Sequence, residues 1–337
     1  MKLVILLLAA FIIAAFTFRK GQTIFSGKHQ VLPGKGLSQH PFLYAGEWDI
    51  RENHLQTIHV VRDGKVVWSY GIPIKDAAKD EIQELGDAFM LANGNILFSR
   101  KVGASEITPD KKIVWNYEAP PKAEIHTTQP IGKDRVMIMQ NGNPAKIMII
   151  NKVTGKTEKE LIIPTEHPQS PHGQFRHVRM TKAGTFLVPH MAGRVVEYDS
   201  DGKEIWSYNT PSPWAAVRLK NGNTLISGDG SGYVREVNTK GETVWEFTQQ
   251  DSPDLKIFNV QEVTRLANGN TIICNWCPGR LKDPKEWPGS VQVFEVTPDK
   301  KIVWALSSWQ APNDLGPASS IQLLDELGVV ENGDLQR

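Results

Sequence analysis

The stretch Arg218–Trp245, RLKNGNTLISGDGSGYVREVNTKGETVW, predicts a four-stranded antiparallel sheet. Its first alternating run ends at Asn221-Gly222, a dipeptide that tolerates the positive φ angles of a type I′ turn and so closes a two-stranded hairpin. A third strand follows the glycine-rich break at 228–232, and a fourth strand ends on Trp245. The stretch is therefore one complete unit of an all-β fold.

The same landmarks recur along the chain. Leu-Ala-Asn-Gly-Asn followed by Ile-Val-Trp occurs at 91–115 and again at 266–304. The landmark tryptophans are Trp68, Trp115, Trp206, Trp245 and Trp304, with gaps of 47, 91, 39 and 59 residues. A gap of 91 is two periods of about 45 residues, which is typical of propeller blades. Six units fit this spacing, and the unit at 124–164 has lost its tryptophan, because the count falls on Lys159.

We therefore predict a single six-bladed β-propeller of four-stranded antiparallel blades, spanning residues 41–326. The predicted blades are 41–71, 84–118, 124–164, 173–209, 214–248 and 258–307. The first blade lacks an inner strand, whereas Ser319–Leu324 has that pattern and belongs to no blade of its own. We expect this C-terminal strand to join the first blade and close the ring, which also removes exposed sheet edges. Residues 21–40 are predicted to be a linker and residues 327–337 a tail.

The N-terminus and the charge balance limit the function classes. With 38 basic and 37 acidic residues the net charge is +1, which does not favour nucleic-acid binding.

Residues 1–20 hold an apolar run ended by Arg19-Lys20. The run is short for a membrane span but suited to an export signal. No clear cleavage site follows, so an uncleaved anchor stays open. In both cases we expect a periplasmic or secreted protein, monomeric and without other membrane contact.

The two cysteines lie in Cys274-Asn-Trp-Cys277. As a redox or metal motif this is weak, because residues three apart on a strand point to opposite faces. The sequence leaves two alternatives open: a disulfide across a tight turn, or one buried thiol and one loop thiol.

One end of the ring is predicted to carry the function. The long connections between blades and the insertion at 275–290 fall on the same end, whereas short Asn-Gly turns close the other. We call these the elaborated end and the plain end. Binding residues are concentrated on loops held by a rigid scaffold, so we expect the site at the channel mouth on the elaborated end.

Aligning the blades on their hairpins brings polar side chains to this mouth. The predicted ligand-binding residues are Glu47, Asp49, Asp87, Arg100, Gln140, His172, Arg179, Trp214, Glu262, Asn275 and Trp276. His177 and Arg179 share one side of a strand by period two, and a guanidinium lowers the proton affinity of a nearby imidazole. We therefore expect His177 to be a neutral base or nucleophile, with arginines holding an anionic group.

The repeat resembles those of the quinoprotein-like propellers, which carry pyrroloquinoline-quinone-type repeats, and most closely the arylsulfotransferase-like group. The match rests on Leu-x-Asn-Gly-Asn, a strand and then Val-Trp or Ile-Val-Trp, in 89–115, 218–245 and 263–304, within a likeness that covers nearly all of 41–326. In that group a histidine at the channel mouth is understood to carry sulfate transiently. The resemblance thus implies His177 or His126 as the catalytic histidine, helped by Arg176 and His190.

No cofactor is assigned, because the adjacent cysteines common beneath pyrroloquinoline quinone are lacking. No metal is assigned either, since His126, His172, His177 and His190 show no tight ligand spacing; a metal bound by them is the minority alternative. The predicted function is an exported propeller with a polar site at the channel mouth for an anionic or carbohydrate-like small molecule; whether it is an enzyme stays open, and transferase, hydrolase and lyase are the candidate activities. The alternative is a non-catalytic propeller whose loops 71–86 and 275–290 bind a protein or glycan.

Overall fold

The computed structural model describes residues 31–51, 54–228, 230 and 232–334, and assigns Leu32–Arg337 to one compact unit. The predicted signal or anchor at 1–20 and most of the linker lie outside the described residues. Within the described part of the chain, no helix is both long and apolar enough to cross a membrane.

Nearly all regular structure is β-strand. The strands are β1 (Phe42–Gly46), β2 (Leu55–Arg62), β3 (Lys65–Pro73), β4 (Lys75–Asp76), β5 (Glu81–Ile82), β6 (Leu85–Met90), β7 (Ile96–Arg100), β8 (Gly103–Ile107), β9 (Ile113–Glu118), β10 (Glu124–Ile131), β11 (Arg135–Asn141), β12 (Ala145–Asn151), β13 (Thr157–Ile163), β14 (Arg179–Met180), β15 (Phe186–His190), β16 (Arg194–Tyr198), β17 (Glu204–Asn209), β18 (Pro213–Arg218), β19 (Thr224–Gly228), β20 (Tyr233–Val237), β21 (Thr243–Thr248), β22 (Asn259–Arg265), β23 (Thr271–Trp276), β24 (Val293–Val296), β25 (Ile302–Leu306) and β26 (Ala318–Leu323). Short 3₁₀ helices are Gly36–Ser38, Pro171–Gly173, Gln249–Asp251, Pro284–Gly289 and Val330–Asn332.

These strands form the six predicted blades. The sheet orders are β26-β1-β2-β3, β6-β7-β8-β9, β10-β11-β12-β13, β14-β15-β16-β17, β18-β19-β20-β21 and β22-β23-β24-β25, which we number as blades 1 to 6. Strands β4 and β5 pair in the connection between blades 1 and 2. The predicted six-bladed propeller of four-stranded antiparallel sheets is confirmed.

The ring closes as predicted, through the C-terminal strand. Strand β26 pairs antiparallel with β1, and Tyr44 lies opposite Ile321. The core at this seam joins blades 1 and 6, because Phe42 and Tyr44 pack in one buried cluster with Trp304 of β25. Because β26 pairs with β1, the inner edge of the first blade is fully paired.

Neighbouring blades are held together by a repeated contact around the landmark tryptophans. The guanidinium of Arg218 in blade 5 lies 5.5 Å from the ring centroid of Trp206 in blade 4. It also pairs with Glu197, which belongs to blade 4 as well. Arg265 of blade 6 repeats this with Trp245, again at 5.5 Å, and with Glu236 of blade 5, at 2.9 Å. Each arginine thus covers an aromatic face and neutralises a carboxylate across the blade interface.

Blade 3 keeps the geometry although it lacks the tryptophan. Lys159 lies opposite Ile149, at the register shift between Ile149 and Ile150. Trp115 and Trp245 occupy the same position in their blades, each next to the corresponding register shift. The prediction that Lys159 stands in the tryptophan position of a complete blade is therefore confirmed.

The inner strand of blade 4 is shorter than predicted. The expected blade began at residue 173, but β14 comprises only Arg179 and Met180. His177 has a φ of 25°, outside the β region, so the ladder does not continue through it. Phe175 keeps a single bridge to His190. Residues 174–178 therefore form no regular strand before β14.

Both cysteines are buried and unpaired. Cys274 packs in the cluster that joins blades 6 and 1, whereas Cys277 packs with Phe258, Trp287 and Trp309 under the insertion. Burial raises the pKa of Cys277 to about 11. The disulfide alternative is therefore not realised in the structure, and neither thiol is in a loop exposed to solvent.

The described part of the predicted tail lies across the plain end. The backbone N–H of Gly132 donates to the carbonyl of Glu331 at 2.7 Å, and the N–H of Ala92 donates to its carboxylate at the same distance. Val330 is buried against a core cluster that includes Phe89 and Leu91. A cavity of about 60 Å³ remains between Val330 and Arg179 inside the channel. Only the elaborated end of the channel is therefore free of this segment.

Candidate functional site

Polar and charged side chains fill the channel in two layers. We call Asp87, His177, Arg179 and Glu262 the channel-core cluster; they lie on the inner strands or just before them and are buried. We call Glu47, Glu84, Glu124, His126, His172 and Arg176 the mouth cluster; they lie at the elaborated end, where strands of blades 1 to 3 begin or end and where irregular backbone precedes β14. The two layers share residue types but differ in how their charges are paired.

In the channel-core cluster every carboxylate has its donors. Asp87 receives two hydrogen bonds from Arg179, at 2.6 and 2.8 Å, one from His177 Nδ1 at 2.7 Å and one from the backbone N–H of Thr128 at 3.0 Å. Glu262 accepts from Arg179 Nη2 at 2.8 Å and from the N–H of Ile321 at 3.2 Å. The network bridges blades 1, 2, 3, 4 and 6.

Electrostatics keep this network charged. Burial opposes ionisation of Asp87, but the charge of Arg179 and the contact with His177 outweigh it and hold its pKa at about 2. Burial likewise opposes the charge of Arg179, yet Asp87 and Glu262 raise its pKa above the ordinary value. The sequence predicted that His177 faces arginines at an open mouth. The structure instead places it 1 % exposed, in direct contact with a carboxylate.

In the mouth cluster, two imidazoles converge on Glu124. Its Oε2 atom lies 2.8 Å from His126 Nε2 and 3.0 Å from His172 Nδ1, and its Oε1 atom lies 3.3 Å from Lys101 Nζ. Burial would raise the pKa of Glu124, but the two histidines outweigh it and hold it well below its usual range. Burial, assisted by the charge of Arg176, lowers the pKa of His126 to about 3 despite Glu124. His126 is therefore neutral at physiological pH.

Arg176 is a buried cation without an ion pair. Its Nη1 donates to the carbonyls of His172 and Phe175, at 2.7 and 3.1 Å, and its Nη2 lies 3.1 Å from His172 Nε2. Among the described residues, no carboxylate lies within ion-pair distance of it. Burial lowers its pKa, although the more distant charges of Glu84, Glu124 and Glu47 oppose this. A buried guanidinium in this state is stabilised by any anion that reaches it.

Trp214, which lies next to Arg176, and Trp276, which lies against Trp214, each carry an unused donor. The guanidinium of Arg176 lies 5.9 Å from the ring centroid of Trp214, whose own centroid lies 6.0 Å from that of Trp276. The Nε1 atoms of both tryptophans are buried and have no hydrogen-bond partner in the part of the chain that the structure describes. Leaving such a donor unmade costs about 1–3 kcal/mol, so an acceptor bound here is favoured.

Glu84, in contrast, is a buried carboxylate without a hydrogen-bond donor among the described residues. It is 6 % exposed, and its carboxylate accepts no hydrogen bond from any described residue; its one ion-pair contact is His172 Nδ1 at 3.8 Å. Its charge acts on Glu47, whose pKa burial and Glu84 together raise well above the usual range, while Gln261 donates to Glu47 at 3.1 Å. The surroundings of Glu47 therefore favour its protonated form.

Two donor sets have the composition of a cation site. The ligand atoms of Glu84, His126 and His172 all lie within 4.8 Å of one another, and so do those of Asp87, His177 and Glu262. In the second set the guanidinium of Arg179 already occupies the space between the two carboxylates. In the first set, no lysine or arginine among the residues that the structure describes pairs with Glu84.

Sequence reasoning missed Glu84 and Glu124. Counting back from each hairpin selected one residue per inner strand, which was Asp87 in blade 2 and His126 with its neighbour in blade 3. Glu84 lies three residues before Asp87, and Glu124 lies two residues before His126. The signal that could have found Glu124 is its i, i+2 spacing to His126, because such residues share a face of a strand.

Several predicted residues are not brought to the mouth. His190 hydrogen-bonds Tyr198 at 3.1 Å and Glu166 at 3.3 Å, on the outer side of its blade. Arg100 donates to Ser105 and Asn116 of the outer strands. Gln140 accepts from Tyr117 at 3.0 Å, between blades 2 and 3. Asn275 holds loop backbone, accepting from the N–H of Phe258 at 2.6 Å. At strand ends, side chains alternate in direction, so sequence position alone did not show which ones face the channel.

Asp49 belongs to a separate cleft. It pairs with Arg51, which also reaches Asp314 at 2.7 Å and lies 4.7 Å from the ring centroid of Trp309. The cleft has a volume of about 920 Å³ and is also lined by Lys285 of the insertion. It lies beside blade 1, and its lining residues include none of the mouth cluster.

The comparisons with known proteins agree on the repeat type. A family model described as outer membrane protein assembly factor BamB, of the pyrroloquinoline-quinone repeat class, matches residues 164–281, roughly a third of the chain. No curated protein matches the sequence. The resemblance to the arylsulfotransferase-like group stays a prediction.

Solved structures show the same fold. A protein of unknown function from Bacteroides caccae is 25% identical, with a TM-score of 0.71 over 84% of this chain and 97% of that one. A catalytically inactive virginiamycin B lyase from Staphylococcus aureus, solved with quinupristin, is 14% identical, with a TM-score of 0.55 over 85% of this chain and 92% of that one. Together with the family model, these matches support a β-propeller of the pyrroloquinoline-quinone repeat type.

Proposed function

We propose that this protein is an exported enzyme that binds a small anionic molecule at the channel mouth and transforms it there by transfer, hydrolysis or elimination. The observation that carries the proposal is Arg176, a buried guanidinium with no carboxylate partner among the described residues, with the ring of Trp214 beside it. An anionic oxygen group is the ligand chemistry that satisfies such a cation.

The groups beside Arg176 support a reaction rather than binding alone. His172 is the half-exposed member of the mouth cluster, with its side chain 50% accessible, so it is where a ligand from solvent first meets the cluster. Glu124 orients its ring, and burial together with the charge of Glu84 raises the pKa of Glu47 well above its usual range. Imidazole and carboxyl groups with separated proton affinities are the usual components of acid–base catalysis.

The test is the anion affinity of Arg176→Gln. Binding of a panel of carboxylated, phosphorylated and sulfated sugars and phenols is measured by thermal shift and calorimetry. We expect at least one class to bind the native protein and to bind Arg176→Gln at least roughly 10-fold more weakly, since a charge-assisted hydrogen bond is lost. Arg100→Gln is the matched control, because Arg100 is also a partly buried arginine near the elaborated end but contacts outer-strand residues. Equal binding by both variants contradicts the proposal.

The second candidate is a non-catalytic binding propeller, favoured by the cleft beside blade 1. Its wall combines Trp309 with the charged pair of Arg51 and Asp314 and with Lys285 of the long insertion. This reading predicts glycan or peptide binding that survives Arg176→Gln and is lost in Arg51→Ala. A turnover that depends on Arg176 excludes it as the main function.

A further inference from the structure

We infer that the mouth cluster binds one divalent transition-metal cation, of the Zn²⁺ or Mn²⁺ type, through Glu84, His126 and His172, with Glu124 beside them as the carboxylate that orients both imidazoles. The inference deepens the proposed function, because the same site would then hold an anion between the cation and Arg176.

The donor geometry suits a metal ion. The ligands come from three separate elements: Glu84 precedes β6, His126 lies on β10 and His172 lies in the 3₁₀ helix Pro171–Gly173. Their ligand atoms lie within 4.8 Å of one another, and His172 Nδ1 is 3.8 Å from Glu84 Oε2. Ligands at about 2.0–2.2 Å from one zinc ion lie roughly 3–4 Å from each other, so a small contraction completes the site.

Glu124 borders the three ligands and holds two of them in place. Its Oε2 atom lies 2.8 Å from His126 Nε2 and 3.0 Å from His172 Nδ1. The ligands themselves, two imidazoles and one carboxylate, form a mixed nitrogen and oxygen set, which zinc and manganese accept and which is less suited to calcium.

The independent observation is the state of Glu84. Glu84 is 6 % exposed and its carboxylate accepts no hydrogen bond from a described group, so its oxygen atoms are available to a ligand. The channel-core cluster has the same donor composition, yet Arg179 lies between Asp87 and Glu262 and satisfies both. In the mouth triad Arg176 Nη2 contacts His172 at 3.1 Å, but no lysine or arginine among the described residues pairs with Glu84, which is why the inference is made for that triad alone.

The experiment measures metal binding without any organic ligand. The full-length protein is treated with a chelator, desalted and titrated with ZnCl₂ and with MnCl₂ by calorimetry, and bound metal is counted by mass spectrometry. We expect one ion per chain, and roughly 100-fold weaker binding in Glu84→Gln and in His172→Ala, since each change removes one ligand. His172 is half exposed, so its alanine variant is expected to fold.

The matched control is Glu262→Gln, which removes a carboxylate from the channel-core triad and is expected to leave zinc affinity unchanged. Thermal melting checks that each variant is folded. Absence of stoichiometric binding, binding insensitive to Glu84→Gln, or an equal loss in Glu262→Gln overturns the inference.

The outcomes also separate this inference from the proposed function. Arg176→Gln is expected to keep metal binding, because Arg176 is not a ligand, while losing anion binding. A protein that binds no metal but still loses its anion in Arg176→Gln contradicts the metal site alone. A protein that binds metal but never an anion contradicts the proposed function alone.

Discussion

The channel of this propeller holds two layers built from the same side chains. In the channel-core cluster, Asp87 accepts from Arg179 and His177, and Glu262 accepts from Arg179. In the mouth cluster, Arg176 has no carboxylate partner and Glu84 has no hydrogen-bond donor within the described residues. Glu84 of the mouth cluster and Asp87 of the channel-core cluster are only three positions apart in the sequence.

This difference indicates what each layer is for. Buried charges that satisfy one another hold five blades in register and need nothing further. Buried charges left incomplete cost free energy, and a protein keeps such a cost where a ligand compensates it. The half exposure of His172 over the mouth cluster, against the full burial of His177 below it, agrees with this division.

The largest expected effect comes from comparing Asp87→Asn with Glu84→Gln. Both replace a buried carboxylate by an amide of the same shape. Asp87→Asn should lower the free energy of unfolding by about 3–5 kcal/mol, because Arg179 and His177 lose their buried partner. Glu84→Gln should change it by less than about 1 kcal/mol in metal-free protein, because no donor is lost. Urea unfolding of chelator-treated protein measures both, and similar losses would remove the distinction between the layers.

An intermediate effect is expected from pH. The pKa of Asp87 is about 2, below its ordinary value of 3.8, so its contribution to stability is fully present above pH 3.8 and is lost as pH falls towards 2. The stability difference between the native protein and Asp87→Asn should therefore be constant from pH 5 to 7. Between pH 4 and 2 it should shrink by on the order of 2 kcal/mol. A difference that stays constant down to pH 2 would show that Asp87 is not held ionised by Arg179.

The smallest effect is expected from Trp214→Phe, which removes one indole N–H that has no partner. Folding should be unaffected or slightly favoured, while affinity for the anion found with Arg176 should fall by about 1 kcal/mol, or roughly 5-fold. Trp245→Phe is the control, since its Nε1 donates to the carbonyl of Pro298 at 2.8 Å. That variant should lose stability and keep anion affinity. Calorimetry measures the affinity and urea unfolding the stability. An anion affinity that falls in Trp245→Phe but not in Trp214→Phe would contradict the anion site.

Much of the fold was readable because its signals are local. The turn at Asn221-Gly222 and the strand ending on Trp245 depend on residues a few positions apart, as do their copies in the other blades. Lys159 was correctly placed by counting alone, although no tryptophan marks that blade. Even the closing strand could be found, since a strand pattern without a blade and a blade without an inner strand were each visible in the sequence.

The site was only partly readable, because its contacts join distant residues. The resemblance and the hairpin alignment pointed to His177 and His190 as catalytic, yet His177 is buried on Asp87 and His190 faces Tyr198. Glu84 was missed because it lies three residues before Asp87, the position that the hairpin alignment selected in blade 2. In addition, the backbone before β14 is irregular, with His177 at a φ of 25°. The period-two alternation of side chains on a strand therefore does not apply to His177.

The sequence by itself determined the all-β class, the number of blades, the closure of the ring and the end that carries the long loops. These follow from strand alternation and turn chemistry, which act between near neighbours along the chain. Only the tertiary structure decided which charges are paired, because His177 meets Asp87 across 90 residues and His172 meets Glu124 across 48. Pairing of that kind depends on the three-dimensional arrangement of blades, and it is what separates a stabilising core from an open site.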